Sequence, residues 1–234
     1  MLKMIRKILI IFKNVYSKVK YFYYKKKITK KYLKGEGAEI GAGNQPFSNN
    51  KNIIYFDKYI SDKSPKNSIK SDAESIRANN EQFDFLISCH CLEHCPNTIK
   101  VLNEWSRILK NRGKLILILP HGKKTFDKGR ELHNLKHHLN DFQKKIDYAD
   151  NTHLDEFINI TLKNCKDKWI NSAPRLNGKI DQNWLINEGL VHYHVWTEVE
   201  MSEILKYSGF NLLEVSNTIP GRDDSFLIIG EKNN

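Results

Sequence analysis

Carboxylates close two consecutive strands predicted in the first third of this sequence. Asp57 follows the apolar run at 52–56, and Asp72 follows a weaker strand near 68–69. A carboxylate after the second strand is placed to accept both hydroxyls of a ribose, and one after the third can accept from the amine of an adenine. The two acids therefore predict a site for an adenosine-containing ligand, with the alternative that either one caps a helix.

A glycine turn, Glu39-Ile40-Gly41-Ala42-Gly43, precedes both acids. Gly41 and Gly43 carry no Cβ atom, so the backbone can take a positive φ and pass close to a ligand. A dinucleotide is disfavoured, because Pro46 stands where the dinucleotide turn has its third glycine and no helix start follows. The sequence also lacks the Gly-Lys-Ser/Thr of a phosphate-binding P-loop.

Histidines supply the candidate catalytic groups, because an imidazole is a natural base toward a hydroxyl at neutral pH. His94 follows the fourth predicted strand, and His194 lies where the regular strand and helix order resumes. His137 and Asp141 are four residues apart, so on a helix they share a face and the carboxylate can orient the imidazole. These four residues are the predicted catalytic set. The alternative for the His137/Asp141 pair is a solvated pair on a helix surface.

Cysteine and histidine are dense at one strand end, at Cys89, His90, Cys91, His94 and Cys95. Structural zinc sites usually draw their four ligands from two separated pairs, and no second pair stands at a suitable spacing here. Adjacent residues of a strand also point to opposite faces of the sheet. We therefore predict no metal.

Strand and helix patterns alternate through the main body, which predicts a mostly parallel sheet covered on both faces. The predicted strands lie at about 38–40, 52–56, 68–69, 83–88, 114–119, 210–215 and 226–230. The turn at 220–224 suits an antiparallel final pair. One helix is predicted from Thr98 to Leu109 with Gly113 as its stop, and another from Glu198 to Tyr207 with a Thr197/Glu200 capping box.

Residues 121–195 interrupt this alternation and are rich in His, Asp, Asn and Lys. Helical patterns occur at 132–146 and 153–163. A segment of this length is too long for a simple loop, so we predict a helical cap inserted over the strand ends. The expected organisation is one domain at 35–234 that contains this insert, preceded by an extension at 1–34.

Residues 1–34 predict a basic amphipathic helix, because they hold 12 Lys/Arg and no acidic residue. Its apolar stripe comprises Met1, Ile5, Ile8, Phe12, Val15, Val19 and Phe22. An apolar stripe beside aromatic residues and dense lysine is typical of a helix lying on an anionic membrane surface. The alternative is a helix packed on the main domain.

The net charge of +11 belongs to this extension, because the remaining residues hold 26 Lys/Arg against 27 Asp/Glu. A nearly neutral body argues against a nucleic-acid partner. The sequence has no apolar run of the ~20 residues that cross a bilayer and no secretory signal. Its four cysteines do not form a disulfide framework, so we expect a cytoplasmic protein, with peripheral binding to the inner membrane face as an option.

The ordered motifs resemble class I S-adenosylmethionine-dependent methyltransferases of the type 11-like kind. The resemblance covers roughly 36–120 and 192–230, and rests on the glycine turn, Asp57, Asp72-Ala73-Glu74, and the segments 83–94 and 104–115. Gln45 departs from it, since many members have a third glycine there. The resemblance implies an α/β, Rossmann-like, seven-stranded and mostly parallel sheet with an antiparallel last strand, and S-adenosyl-L-methionine as cofactor.

The resemblance also implies residue roles. Glu39 would orient the methionine end of the cofactor, and the glycine turn would allow its close approach. Asp57 would hold the ribose. The implied cofactor-binding residues are Glu39, Gly41, Ala42, Gly43, Asp57, Asp72 and Ala73 on the adenine side, and Cys89 and His90 on the floor near the sulfonium.

The segments 125–130, 135–142 and 192–197 resemble a methyltransferase group found with bacterial surface-polysaccharide enzymes. The implied reaction is methyl transfer to an oxygen of a small-molecule or glycan acceptor. One alternative is a methyltransferase-like, non-catalytic binding or scaffold protein at the membrane. An RNA methyltransferase is a third hypothesis, which the neutral main body disfavours.

Overall fold

The computed structural model describes residues 2–165 and 169–234, and a seven-stranded sheet lies at its centre. The strands of this sheet are β1 Gly37–Ile40, β2 Ile53–Asp57, β3 Ser68–Lys70, β4 Phe83–Cys89, β5 Leu109–Pro120, β8 Phe210–Ser216 and β9 Ser225–Lys232. Their order is β3-β2-β1-β4-β5-β9-β8. β1 to β5 run parallel, and β9 is antiparallel to both β5 and β8. The predicted Rossmann-like sheet with an antiparallel last strand is confirmed.

Helices cover both faces of this sheet, which explains why its central strands are continuous apolar runs. The helices are α1 Leu2–Tyr32, α2 Thr98–Ile108, α3 Leu135–Lys144, α4 Asn151–Glu156, α5 Leu162–Asn164, α6 Trp169–Ser172, α7 Gln182–Asn187 and α8 Glu198–Tyr207. Leu117 of β5 lies in one apolar layer with Trp105 of α2 and Met201 of α8. Ile118, its neighbour in β5, lies in the opposite layer with Ile28 of α1.

The boundary between α2 and β5 differs from the sequence prediction. The helix begins as expected, because the Asn97 side chain accepts the Lys100 N–H at 3.1 Å. It ends at Ile108, and Leu109 is extended and pairs with Phe83 of β4. The predicted stop at Gly113 is therefore wrong. Strand pairing already begins at Leu109, a competing tertiary interaction that the helical spacing of apolar residues does not show.

Among the side chains of α1 that the structure describes, those of its C-terminal half pack on the sheet. Ile28 and Tyr32 are buried, and Lys31 and Tyr32 hydrogen-bond the Glu214 carboxylate at 2.9 and 2.8 Å. Earlier apolar side chains are exposed, namely Leu9, Ile11, Phe12, Val15, Tyr16, Val19, Phe22 and Tyr23. Met1 and the side chains of Ile5 and Ile8 lie outside the described part of the predicted stripe. Within the described residues, no helix combines the length and apolarity needed to cross a bilayer.

The chain between β5 and α8 folds over the carboxyl ends of the strands, and we call it the cap. It contains α3 to α7 and a two-stranded hairpin, β6 Arg175–Leu176 and β7 Lys179–Ile180, which the helical prediction missed. Leu154, Phe157 and Leu185 form an apolar cluster inside the cap. The cap returns to the sheet where the Gly122 N–H donates to the Trp196 carbonyl at 2.8 Å.

Candidate functional site

A cavity of about 390 Å³ lies at the carboxyl ends of β1, β2 and β4, beneath the cap. This is the edge where ligands bind in open α/β sheets. Its walls come from the strand ends and from the cap. The lining residues are Ile40, Gly41, Gly43, Asn44, Phe56, Asp57, Lys58, Tyr59, Ser61, Ser71, Ala73, His90, Cys91, His94, Cys95, Tyr148, Ile186, Gly189, Val191 and Tyr193.

The glycine turn bends as its composition predicts. Gly41 has φ +75°, and a Cβ atom there would lie 2.4 Å from the Cβ of Cys91, so a side chain has no space. Gly43 has φ +54°, and a Cβ atom there would meet no protein atom within 4 Å. Both glycines line the cavity, whereas Ala42 between them is buried in the apolar layer under α1. The space in front of Gly43 is therefore available to a ligand.

Asp57 presents its carboxylate at the cavity and also shapes the turn. Its Oδ2 accepts the Gly43 N–H at 2.8 Å, and its Oδ1 accepts the Tyr59 N–H at 2.8 Å. Among the described residues, no helix begins directly after Asp57 or Asp72, so the alternative role as a helix cap does not apply to either acid. Each carboxylate oxygen has a second lone pair, so Asp57 can still accept two ligand hydroxyls.

Glu39 lies behind the turn and is not among the cavity-lining residues. Its Oε1 accepts the Phe47 N–H at 2.6 Å and its Oε2 accepts the Ser48 N–H at 3.5 Å. Burial raises the pKa of this carboxyl to about 7, and the two backbone hydrogen bonds offset part of that rise. In the structure Glu39 stabilises the loop at 47–48, which follows the glycine turn, through these two hydrogen bonds. Its contact with the methionine end of a cofactor stays a prediction.

Asp72 and Ala73 have separate positions. Ala73 lines the cavity, and its carbonyl accepts the Trp105 indole N–H at 3.0 Å. Asp72 lies outside the lining, and its Oδ1 accepts the Tyr148 hydroxyl at 3.1 Å, which connects the sheet to the cap beside the predicted adenine position.

Cys89 and His90 diverge at the end of β4. His90 lines the cavity with φ +54°, and its Nε2 lies 2.9 Å from Ser225 Oγ and 3.1 Å from Arg222 Nη2. Cys89 turns away from the cavity, and its Sγ accepts from Arg222 at 3.7 Å. Burial raises the pKa of the Cys89 thiol to about 11, so it is a protonated thiol at neutral pH. Of this pair, only His90 can contact a ligand in the cavity.

His94 is the one predicted catalytic residue that lines the cavity. Its Nδ1 donates to the Val191 carbonyl at 3.0 Å, which leaves the lone pair on Nε2. Burial, together with the neighbouring His192, lowers the pKa of His94 to about 3. The imidazole is therefore neutral at physiological pH, with an unprotonated Nε2.

Glu93 is a buried acid next to the cavity that the sequence prediction missed. Its Oε1 lies 3.4 Å from His90 Nδ1 and 3.9 Å from His94 Nε2. Neither of its side-chain oxygens has a hydrogen-bond partner among the described residues. Burial raises the pKa of Glu93 to about 7. A carboxyl with such a pKa beside two cavity histidines is typical of a functional site. The available signal was its position directly before His94.

The cap supplies the outer wall of the cavity through Tyr148, Val191 and Tyr193, which the sequence prediction also missed. The Tyr193 hydroxyl donates to the Tyr148 carbonyl at 2.8 Å. The fully buried Arg130 donates to the carbonyls of His192 and Tyr193 at 2.7 and 2.8 Å. These bonds hold the returning chain against the cavity.

His137, Asp141 and His194 lie together outside the cavity lining. His137 Nε2 is 3.1 Å and His194 Nε2 is 2.9 Å from Asp141 Oδ2. Burial alone would raise the pKa of Asp141, but hydrogen bonds from three imidazoles hold it well below its usual range. Asp141 and His194 are buried and His137 is partly exposed. A base role for these residues stays a prediction, and the structure places them behind the cavity wall.

Two groups of side chains in the described residues have atoms close enough to share a metal ion. One is His137, Asp141, His153 and His194, and the other is Glu93, His94 and His192. The prediction of no metal considered a different set of residues, the cysteines and histidines between Cys89 and Cys95, of which only His94 belongs to one of these groups. His153 belongs to α4 and carried no signal in the sequence beyond its place in a helical pattern.

Comparisons with known proteins agree with this architecture. Residues 50–117 match the family described as a methyltransferase domain. A segment of 90 residues is 33% identical to an uncharacterized protein of Methanocaldococcus jannaschii, covering 36% of this chain and 44% of that protein. The chain thus spans less than half the length of this curated relative.

Solved structures extend the likeness to the whole fold. An S-adenosylmethionine-dependent methyltransferase of Thermotoga maritima, described as a possible histamine N-methyltransferase, has a TM-score of 0.54 at 16% identity, covering 99% of this chain and 97% of that one. A 1,6-didemethyltoxoflavin N1-methyltransferase of Burkholderia thailandensis, with its acceptor and S-adenosylhomocysteine bound, has a TM-score of 0.51 at 12% identity, covering 90% and 77%. Identities this low show the fold. Residues 50–117 therefore resemble a methyltransferase domain, and the chain has the fold of S-adenosylmethionine-dependent methyltransferases.

Proposed function

We propose that the chain transfers a methyl group from S-adenosylmethionine to an oxygen of a small-molecule or glycan acceptor. The observation that carries this proposal is the cavity in which the glycine turn, Asp57 and Ala73 meet. Asp57 offers its carboxylate to the ribose hydroxyls, and Gly43 leaves room in front of the turn. Ala73 and Phe56 supply apolar surface for the adenine. When bound, the cofactor supplies an electrophilic methyl group.

His94 is the proposed base. Its neutral imidazole keeps the lone pair on Nε2, because Nδ1 donates to the Val191 carbonyl. The acceptor hydroxyl would lose its proton to Nε2 as its oxygen took the methyl group, the methyl–sulfur bond broke and S-adenosylhomocysteine was left. Glu93 Oε1, 3.9 Å away, stabilises the imidazolium that forms. Val191 and Tyr193 of the cap also line the cavity and would exclude water from the reacting groups.

The cofactor site is tested by calorimetric titration with S-adenosylhomocysteine. Gly43→Ala places a methyl group in the ligand space without meeting a protein atom, so we expect weaker binding by a folded protein. Gly178→Ala is the matched control, since Gly178 has φ +79°, has the same open surroundings and is not a cavity-lining residue. Equal affinities of the two variants would remove the glycine turn from the cofactor site.

Asp57→Asn tests the ribose contact in the same titration. Hydrogen bonds to a charged group contribute about 1.5–3 kcal/mol, so we expect a roughly 10- to 100-fold loss of affinity. The exposed Asp62→Asn in the following loop changes the net charge equally and is expected to bind as the unmodified protein does. Unchanged affinity in Asp57→Asn contradicts the adenosine-binding assignment.

Turnover separates the enzyme from a non-catalytic scaffold. We expect the unmodified chain to transfer labelled methyl groups to molecules of a cell extract. In His94→Gln the transfer rate should fall at least 100-fold, while S-adenosylhomocysteine still binds. Binding of S-adenosylhomocysteine without any transfer supports the scaffold alternative. An equal rate in His94→Gln assigns the base elsewhere.

For the acceptor we propose a hydroxyl of a surface glycan or its lipid-linked precursor at the cytoplasmic membrane face. The exposed apolar and basic residues of α1 support this location, because such a helix partitions into an anionic interface. A mass increase of about 14 Da, the addition of one CH₂, is expected on an extracted surface glycan only in cells with the active gene. Its absence excludes this acceptor class.

Membrane binding is tested with phosphatidylglycerol vesicles. Phe12, 68% exposed in α1, is expected to insert, so Phe12→Ala lowers the bound fraction. Phe142→Ala is the control, since Phe142 is an exposed aromatic residue of the cap. Binding is expected to weaken with salt, because the lysines of α1 contribute through screened charge. Equal binding to neutral phosphatidylcholine vesicles contradicts the proposal.

A further inference from the structure

Four side chains from three separate segments converge at the base of the cap. His137 and Asp141 come from α3, His153 comes from α4, and His194 comes from the chain that returns to the sheet. Each directs one ligand atom inward, and these four atoms all lie within 4.8 Å of one another. Asp141, His153 and His194 are buried, whereas His137 is partly exposed.

The separations between these atoms fit a tetrahedral metal site. Asp141 Oδ2 lies 2.9 Å from His194 Nε2, 3.1 Å from His137 Nε2 and 3.5 Å from His153 Nε2. His137 Nε2 and His153 Nε2 are 3.1 Å apart. Metal–ligand bonds of about 2.0–2.2 Å in a tetrahedron place the ligand atoms roughly 3.3–3.6 Å apart. The four separations given above lie within about 0.4 Å of this range, and all the ligand atoms lie within 4.8 Å of one another.

Hydrogen bonding alone accounts poorly for this arrangement. His137 Nε2 and His153 Nε2 lie 3.1 Å apart, and both face Asp141 Oδ2. Where both nitrogens donate to that oxygen, their N–H groups crowd each other, and where one keeps its lone pair, that lone pair faces an acceptor. The single oxygen Oδ2 also meets a third imidazole nitrogen, His194 Nε2. A cation at the centre turns these three nitrogens and the oxygen into four ligands.

The surrounding residues complete the pattern of a metal centre. A carboxylate–histidine pair is formed by Asp150 and His153, which fixes the imidazole tautomer that leaves Nε2 free. Thr98 Oγ1 lies 3.4 Å from His194 Nδ1, the ring nitrogen that points away from the cluster. The Asn97 amide donates to the Asp141 backbone carbonyl at 3.3 Å. Each of these contacts orients a ligand from outside.

We propose that His137, Asp141, His153 and His194 bind one structural transition-metal ion, with Zn²⁺ as the best match. Imidazole suits Zn²⁺, and a set of four protein ligands leaves no open position for substrate. The ion ties α3, α4 and the returning chain together. Tyr193 precedes His194 and lines the cavity, so the metal also holds the cavity wall in place.

The test is elemental analysis of the full-length protein. We expect about one zinc per chain, which chelation removes and Zn²⁺ or Co²⁺ restores, and the Co²⁺ form should show the intense visible absorption of a four-coordinate site. His137→Gln and Asp141→Asn should bind Co²⁺ at least 100-fold more weakly. His121→Gln is the matched control, because His121 is also a buried histidine near a carboxylate, 3.5 Å from Glu198. His192→Gln should bind Co²⁺ as the wild type does, which excludes the group Glu93, His94 and His192 as the metal site.

Asp150→Asn covers the case in which a ligand variant does not fold. Asparagine keeps the cap of α4 but removes the negative charge from His153, so Co²⁺ affinity should fall roughly 10- to 100-fold in a folded protein. Two results overturn the proposal: a chelated wild-type chain that binds neither Zn²⁺ nor Co²⁺, or ligand variants that bind as the His121 control does. Neither readout requires methyl transfer, so this proposal and the proposed function fail independently.

Discussion

At the residue scale, Glu93 is the least expected group beside the cavity. Its carboxyl is fully buried and has no hydrogen-bond partner among the described residues. The pKa is raised from 4.5 to about 7 by burial. Between these pH values the folded state binds a proton that the unfolded state has released. The free energy of unfolding therefore falls as the pH rises through this window.

Glu93→Gln is expected to remove this pH dependence. The stability contribution of the protonated carboxyl is complete below pH 4.5 and lost above pH 7. The difference in free energy of unfolding between the variant and the wild type should therefore shift by roughly 3 kcal/mol in favour of the variant from pH 4 to pH 8. Urea unfolding at both pH values measures the difference. The exposed Glu203→Gln serves as the control. A constant difference between Glu93→Gln and wild type across this range contradicts the raised pKa.

At the element scale, local signals and strand pairing each determine some of the boundaries. Helix α8 starts where its capping box predicts, since the Thr197 hydroxyl accepts the Val199 N–H at 3.2 Å and the Glu200 carboxylate accepts the Thr197 N–H at 2.8 Å. Helix α2 ends before its predicted glycine stop, because β5 pairs with β4 from Leu109 onward. Capping contacts are local, whereas strand pairing joins distant residues.

Thr197→Ala should destabilise the protein by about 1 kcal/mol, the usual cost of losing an N-cap hydroxyl. For a chain of this size that corresponds to a decrease in Tm of about 2–4 °C. Val199→Ala, two residues later, is the control, because Val199 is 58% exposed. Calorimetry measures both. An equal Tm for the two variants means that the cap contributes nothing to α8.

At the scale of the whole molecule, the cavity exists only because the cap closes over the sheet. Asp57 and Gly43 come from strand ends, whereas Tyr148 and Tyr193 come from the cap. The hydrogen bond between Asp72 and Tyr148 and the one from the Tyr193 N–H to the Glu93 carbonyl join the two parts. A ligand bound between them contacts both and should stabilise the chain as a unit.

S-adenosylhomocysteine at 100 times its Kd is expected to add about 2.7 kcal/mol to the free energy of unfolding. This corresponds to a rise in Tm of about 5–10 °C. The rise should be at least halved in Asp57→Asn at the same ligand concentration, whereas Asp62→Asn should match the wild type. Differential scanning fluorimetry measures the shift. No shift at saturating ligand contradicts cofactor binding in this cavity.

The amino-acid sequence by itself determined the α/β class, the seven strands of the main sheet, the glycine turn and the placement of Asp57. These features depend on local patterns, namely apolar runs, glycine positions and acids directly after strands. The carboxyl ends of neighbouring parallel strands meet at one edge, so residues at those ends are brought together by topology alone. Gly41, Gly43, Asp57, Ala73 and His90 accordingly line one cavity.

Only the tertiary structure decided which histidines face the cavity and which form a separate cluster. His94 follows a strand and faces the cavity, whereas His137 and His194 meet His153 behind the cavity wall. Helical spacing predicts that His137 and Asp141 share a face, but it does not predict what packs against that face. That depends on how the cap folds back onto the sheet, through contacts between residues far apart in sequence such as Asp72 and Tyr148. Those contacts have no local signature.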